Sequence, residues 1–158
     1  MAIYQFKMML IPEVSLRAQF GAIPMFIEED MAENFPWWNG VSSPLNLKEK
    51  VGCILPRIAS WSEAMEIWGN EHSNAILIGY DDANKIEFIS TRIDARCISF
   101  PFLTDICKLG AELKCVFMTM EFKLIESDEI AVIAAINNSA AVKFVKDPLS
   151  TLRNLKND

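Results

Sequence analysis

The stretch Ala75–Ala95, AILIGYDDANKIEFISTRIDA, decides the fold. It contains two runs rich in Ile, Phe, Tyr and Thr, Ala75–Tyr80 and Ile86–Ala95, on either side of Asp-Asp-Ala-Asn. β-branched and aromatic residues favour strands, whereas Asp and Asn favour turns. The stretch therefore predicts an antiparallel hairpin with a short loop.

The chain that follows this hairpin alternates between helical and extended patterns. Phe102–Leu113 is the clearest helix, because its apolar residues recur at helical spacing and form one stripe. Two strands are predicted next, Cys115–Met120 and a short one at Phe122–Ile125. A helix from Glu129 to about Ser139 follows, capped by Asp128. A last helix starts at Asp147-Pro148, and its apolar stripe consists of Leu149, Leu152 and Leu155.

The chain before the hairpin is mostly helical after an opening strand. Its predicted elements are a strand Ile3–Ile11 and helices Pro12–Phe20, Glu28–Phe35 and Leu47–Leu55. Trp61–Trp68 fits either a helical turn or an edge strand. The mixture lacks regular strand–helix–strand alternation, so we predict a single α+β domain over residues 1–158. The sheet should be mostly antiparallel, with helices packed on one face.

Composition excludes several classes of function. The chain has 158 residues and a net charge of −6, and its Lys and Arg are scattered, which argues against a nucleic-acid partner. Its longest uncharged apolar stretch, Ile130–Val142, is shorter than the ~18 residues that cross a bilayer, so we expect no membrane partner. The four cysteines are widely and irregularly spaced, which favours free thiols in a cytoplasmic protein.

No known catalytic or metal-binding motif is present. His72 is the only histidine, so the residues for a histidine triad or a multi-histidine zinc site are missing. Glycine-rich phosphate loops are also absent from the sequence. Acidic clusters such as Asp81-Asp82 fall at predicted turns and helix starts, where exposed acids are common. We therefore assign no catalytic residue, no metal and no cofactor.

Tryptophans and a charged strand face are the candidate binding features. Trp37-Trp38 lies in a Pro-bounded loop, and adjacent side chains in an extended loop point in opposite directions. One ring should therefore be buried and the other exposed for recognition. Arg92, Asp94 and Arg96 alternate on one strand face, as either a structural ion-pair ladder or a clamp for a carboxylate or phosphate. The full set of candidate binding residues is Trp37, Trp38, Trp61, Trp68, His72, Asp81, Asp82, Arg92, Asp94 and Arg96.

Several stretches resemble a family of small, uncharacterised bacterial cytoplasmic proteins. They are Tyr4–Pro12, Pro36-Trp37-Trp38-Asn39-Gly40, Ser60–Glu63 with Trp68-Gly69, Ile89–Arg96 and Ala140–Pro148. Such proteins are similar in size and style to immunity proteins, which neutralise a cognate toxin. The absence of catalytic motifs, the net negative charge and the tryptophans in or beside loops favour a non-catalytic interaction protein, and the resemblance implies a toxin as its protein partner. A small-molecule-binding module that uses Arg92, Asp94 and Arg96, and an enzyme of unrecognised type with His72 at its site, are the alternatives.

Overall fold

The computed structural model describes residues 1–155, which form seven strands and seven helices. The strands are β1 (Gln5–Pro12), β2 (Arg57–Ile58), β3 (Met65–Gly69), β4 (Ala75–Tyr80), β5 (Ile86–Asp94), β6 (Cys115–Thr119) and β7 (Leu124–Ile125). The helices are α1 (Glu13–Phe20), α2 (Glu29–Asn34), α3 (Leu47–Ile54), α4 (Phe100–Glu112), α5 (Glu129–Asn137), α6 (Ala140–Lys146) and α7 (Pro148–Leu155). All seven strands form one antiparallel sheet in the order β2-β3-β4-β5-β1-β6-β7, which confirms the predicted α+β class.

The predicted hairpin is confirmed as β4 and β5. Ile78 faces Ile89 in the ladder, and a bulge follows at Gly79/Tyr80. The Asp81 carboxylate accepts hydrogen bonds from the backbone N–H groups of Ala83 and Lys85, at 2.9 and 2.8 Å. Such a side-chain bond to the following backbone stabilises a turn, which explains why this loop is short and ordered.

β1 lies in the interior of the sheet between β5 and β6. Its register with β5 runs from Gln5 opposite Asp94 to Met9 opposite Ser90. Its register with β6 runs from Met8 opposite Thr119 onwards to Pro12. β1 therefore continues along β6 after it has separated from β5.

Helices α3 and α4 pack on the same face of the sheet. One row on this face consists of Trp68, Ile76, Thr91 and Met8, which are cross-strand partners on β3, β4, β5 and β1. In α3, a Cβ placed on Gly52 would lie 4.0 Å from Trp68 Nε1. In α4, a Cβ placed on Gly110 would lie 3.0 Å from the Phe117 ring, which shares this face. The opposite face carries a separate, smaller cluster of Met65, Ile67, Ala75 and Leu77.

Three elements differ from their predictions. The Trp61–Trp68 stretch forms strand β3 from Met65 onwards, and β3 is an interior strand because β2 pairs along its outer side. The helix predicted to end at about Ser139 ends at Asn137, and Ser139 is the N-cap of a separate helix, α6. In α7, Leu149 and Leu152 of the predicted stripe are exposed, and the side chain of Leu155 lies outside the described part of the structure.

The remaining sequence expectations concern the thiols and the membrane. All four cysteines are free thiols, of which Cys53 and Cys97 are exposed. Burial raises the pKa of Cys107 to about 11 and that of Cys115 to about 12, so these two stay protonated at neutral pH. None of the helices in residues 1–155 is long and apolar enough to cross a bilayer.

Gly69, at the end of β3, should be the glycine most sensitive to substitution. Its φ is +97°, and an added Cβ would collide with the carbonyl oxygen of Asn74 and with the side chain of Leu55. Strain and overpacking should together make Gly69→Ala lower the free energy of unfolding by about 3 kcal/mol or more in urea denaturation.

Gly21, the C-cap of α1, supplies the matched control. Its φ is +76° but no atom lies within 4 Å of an added Cβ. Gly21→Ala should therefore show backbone strain alone, about 1–2 kcal/mol. Equal losses in the two variants would contradict the role of the contacts around Gly69.

Candidate functional site

The prediction that one of Trp37 and Trp38 is exposed is wrong. Both side chains are buried, with 5% and 4% of their surface exposed. The two residues lie in a turn rather than in extended chain, so their side chains need not point in opposite directions. The two indole rings are therefore part of the core, although Pro36, Asn39 and Gly40 are exposed, and the loop offers no exposed aromatic ring to a partner.

Each buried indole links its loop to a different part of the fold. Trp37 Nε1 donates to the carbonyl of Ala32 in α2 at 3.3 Å. The centroids of the Trp37 and Phe35 rings are 4.4 Å apart. Trp38 Nε1 donates to the carbonyl of Leu10 at 3.1 Å. Leu10 follows Met9, where the pairing of β1 with β5 ends. Trp38 thus satisfies a buried backbone carbonyl at the point where the two strands separate.

Four of the predicted binding residues meet around the turn between β3 and β4. Trp61, His72, Asp94 and Arg96 are joined there by Tyr4 and Glu71 through hydrogen bonds. We call these six residues the sheet-end surface. Sequence reasoning missed Tyr4, which is far from the other four residues in the chain, and Glu71, which directly precedes His72 but belongs to no recognisable motif.

Arg96 is the centre of the sheet-end surface. Its guanidinium donates two hydrogen bonds to the Asp94 carboxylate, Nε to Oδ1 at 2.9 Å and Nη2 to Oδ2 at 2.8 Å. It also stacks on the Tyr4 ring, with Cζ 3.6 Å from the ring centroid, and donates to the carbonyl of His72. The hydrogen bonds from Arg96 lower the pKa of Asp94, which keeps this carboxylate charged at neutral pH.

Trp61 is the most exposed aromatic ring of the sheet-end surface. Its side chain is 74% exposed, while Nε1 donates to Glu71 Oε1 at 3.0 Å. Glu71 is itself placed by the Gln5 side chain, which donates to the backbone carbonyls of Glu71 and Ser73. The ring is therefore held in position although it is open to solvent.

Arg92 does not take part in the predicted ladder with Asp94 and Arg96. β5 ends at Asp94, so Arg96 lies in the following turn and folds back onto Asp94. Arg92 instead faces Lys7 across the β1–β5 ladder. Burial, and to a smaller extent the charge of Arg92, lower the pKa of Lys7. The predicted three-residue face is thus divided into a closed ion pair and a pair of like charges.

The remaining predicted site residues lie elsewhere. Trp68 is buried beneath α3, with the Arg57 guanidinium 5.9 Å from its ring centroid. Asp81 stabilises the hairpin turn through its backbone hydrogen bonds, and Asp82 is exposed at the tip of the same turn. The exposed imidazole of His72 makes no hydrogen bond to any residue in 1–155, and only its backbone is part of the network.

An open cleft of about 1150 Å³ lies between the loop that follows α2 and the β4–β5 turn. Trp38, Leu45, Tyr80, Asp81 and Phe88 are among its lining residues, whereas Arg92 and His72 are not. Within residues 1–155, no three His, Cys, Asp or Glu side chains come together as a metal site. Comparisons with protein-family models, with curated proteins and with solved structures gave no match.

The same chemical change at Trp38 and Trp61 should have very different effects on stability. Trp38→Phe leaves the buried carbonyl of Leu10 without its donor and leaves part of the indole volume empty. The loss should be about 2–4 kcal/mol in the free energy of unfolding. Trp61→Phe, at an exposed position, should change it by no more than about 0.5 kcal/mol. A large loss at Trp61, or none at Trp38, in chemical denaturation would contradict the structure.

Lys7→Met should increase stability at pH 7 in a Tris-chloride buffer. The substitution removes a like charge directly opposite Arg92 and keeps an apolar stem, which should add roughly 0.2–1 kcal/mol to the free energy of unfolding. Because the pKa of Lys7 is lower in the folded protein than its ordinary value, its charged form costs stability at neutral pH. That cost disappears as the pH rises through the folded pKa towards 10.5, so the advantage of the variant should shrink there.

Lys85→Met is the control for this comparison. Lys85 is exposed beside the β4–β5 turn, so the variant removes the same charge without relieving a pair of like charges. Its stability should differ from that of the parent by less than about 0.5 kcal/mol. A Lys7→Met protein that unfolds at lower denaturant than the parent would show that Lys7 stabilises the fold.

Proposed function

We propose that the protein is a non-catalytic interaction module whose protein partner docks on the sheet-end surface. The observation that carries this proposal is the exposed Trp61 ring, held in place by Glu71 beside the stacked pair of Tyr4 and Arg96. Trp, Tyr and Arg are the residue types most enriched at binding hot spots. Because hydrogen bonds already order these side chains, binding would cost less conformational entropy than for free side chains.

The resemblance to immunity proteins makes a toxin the first partner to test. The net charge of −6 favours a basic partner, since opposite net charge speeds diffusional encounter. A cytoplasmic location remains part of the same proposal. The buried Trp37-Trp38 pair gives it no support, so the proposal rests on Trp61 and its neighbours.

Two alternatives have less support. An enzyme centred on His72 would need a partner for the imidazole, and among residues 1–155 no side chain forms a hydrogen bond with it. A small-molecule site on Arg92, Asp94 and Arg96 would need free hydrogen-bond donors. The guanidinium of Arg96, however, already donates two hydrogen bonds to the Asp94 carboxylate. Of the two arginines in that set, Arg92 has no carboxylate partner in the described chain.

Affinity capture with matched variants tests the proposed surface. The tagged protein is used to capture binding proteins from the organism that encodes it, and the captured partner is then purified and titrated. Trp61→Ala should weaken its binding by about 2 kcal/mol or more, or roughly 30-fold in Kd. Arg96→Ala should weaken it as well, because it removes the ring-stacked guanidinium.

Leu45→Ala is the matched control, because Leu45 is a fully exposed apolar residue outside the sheet-end surface. It should leave the Kd unchanged. A partner that binds the Trp61→Ala and parent proteins equally well would overturn the proposed surface. If the partner is a toxin, co-expression with the parent protein should protect cells from it, and co-expression with Trp61→Ala should protect them less.

A further inference from the structure

The open cleft of about 1150 Å³ lies at the other end of the sheet from the sheet-end surface. β4 begins at Ala75, directly after the β3–β4 turn, and ends at Tyr80, which lines the cleft. At about 3.4 Å per residue, this strand separates the two regions by about 17 Å. Small-molecule pockets have volumes of roughly 300–1,000 Å³. The cleft is therefore a separate region, with room for several residues of an extended polypeptide.

Part of the lining of the cleft is apolar and open to solvent. Phe35, Tyr80 and Phe88 line the cleft, and each of these residues is only half-buried. Leu45 lines it as well and is fully exposed. The Tyr80 ring is held in place because its hydroxyl donates to Glu66 Oε2 at 2.9 Å. A ligand that covers these four side chains, which we call the apolar lining, would remove apolar surface from water, and this favours binding.

Carboxylates from three parts of the fold also line the cleft. Glu33 belongs to α2, Glu49 to α3, and Asp81 and Glu87 to the β4–β5 hairpin. All four residues are exposed, and none forms an ion pair with another residue in 1–155. No three carboxylates of residues 1–155 come together as a metal site. One small cation therefore cannot contact three of them at once, whereas an extended ligand with several positive charges can.

The two lysines of the cleft do not balance this negative charge. Lys48 Nζ is bound to Glu66 Oε1 at 3.0 Å and lies 5.2 Å from the centroid of the Tyr80 ring. Lys85 is exposed and has no carboxylate partner among residues 1–155. The lining therefore has four carboxylates and two ammonium groups, one of which is already paired. The position of Lys48 also shows that a cation can lie against an aromatic ring in this cleft.

We propose that the cleft binds a cationic segment of another polypeptide, in which Arg or Lys residues alternate with apolar ones. Successive side chains of an extended segment point in opposite directions, so one set can reach the carboxylates while the other covers the apolar lining. Opposite charge raises the rate of encounter, and like charge disfavours acidic partners. The site does not rest on the proposed function, because Trp61 and Arg96 do not line the cleft.

Nuclear magnetic resonance titration of the full chain tests the site with synthetic peptides. The probe is acetyl-Arg-Leu-Arg-Leu-Arg-amide at pH 7 in about 0.15 M sodium chloride, where charges are screened beyond about 8 Å. The readout is the backbone N–H signals of residues 84–88, all of which line the cleft. We expect saturable shifts of these signals, whereas the indole signal of Trp61 should not move.

Two control peptides test the assigned class of ligand. Acetyl-Glu-Leu-Glu-Leu-Glu-amide reverses the charge, and acetyl-Arg-Gly-Arg-Gly-Arg-amide lacks the side chains that would cover the apolar lining. Each should bind at least about tenfold more weakly than the probe. Equal binding by either control peptide would overturn the proposal that the ligand is both cationic and apolar.

Two double variants with the same net charge separate the cleft from the general acidity of the chain. Glu33→Gln with Glu49→Gln removes two carboxylates of the lining and should weaken binding of the probe about fivefold or more. Glu121→Gln with Glu126→Gln removes two exposed carboxylates outside the cleft and should leave the Kd unchanged. Trp61→Ala should also bind the probe like the parent protein. Equal effects of the two double variants, or shifts that do not saturate, would overturn the site.

Discussion

β1 is paired along both of its edges, and within the sheet the two groups of strands meet only through it. On one side lie β2 to β5, and on the other lie β6 and β7. The separation of β1 from β5 after Met9 opens the ladder, and the Trp38 indole satisfies the Leu10 carbonyl just beyond this point. The position of the Trp loop and of the cleft beside it therefore depends on where this pairing ends.

The same strand organises both the sheet-end surface and the Lys7–Arg92 pair. Tyr4, just before β1, and Gln5, its first residue, donate hydrogen bonds to backbone carbonyls of the β3–β4 turn, which carries the Glu71 carboxylate that accepts from Trp61. Two residues further along, Lys7 is placed opposite Arg92 by the register alone. The sheet-end surface, and a neighbouring pair of cations without a carboxylate partner among residues 1–155, thus both depend on the placement of β1.

Local features of the fold could be predicted from sequence, whereas long-range features could not. The hairpin and the helix over Phe102–Leu113 follow from patterns that repeat within a few residues, because turn chemistry and side-chain period act locally. The burial of Trp37 and Trp38 depends on a turn conformation that the Pro36–Gly40 sequence does not specify uniquely. The pairing of Lys7 with Arg92 depends on the register of two strands far apart in the chain, for which one sequence holds no signal.

The position of β1 also has a consequence for biosynthesis. Gln5 pairs with Asp94 and Met8 pairs with Thr119, so β1 is synthesised long before either of its partners. At a translation rate of about 5–20 residues per second, roughly 5–20 seconds separate the synthesis of Met8 and Thr119. Until β5 has been synthesised, an apolar strand, QFKMMLIP, has both edges unpaired on the nascent chain, and the edge that pairs with β6 stays unpaired to the end of the interval. Protection of this segment by a chaperone should therefore limit the yield of folded protein more than the final stability of the domain does.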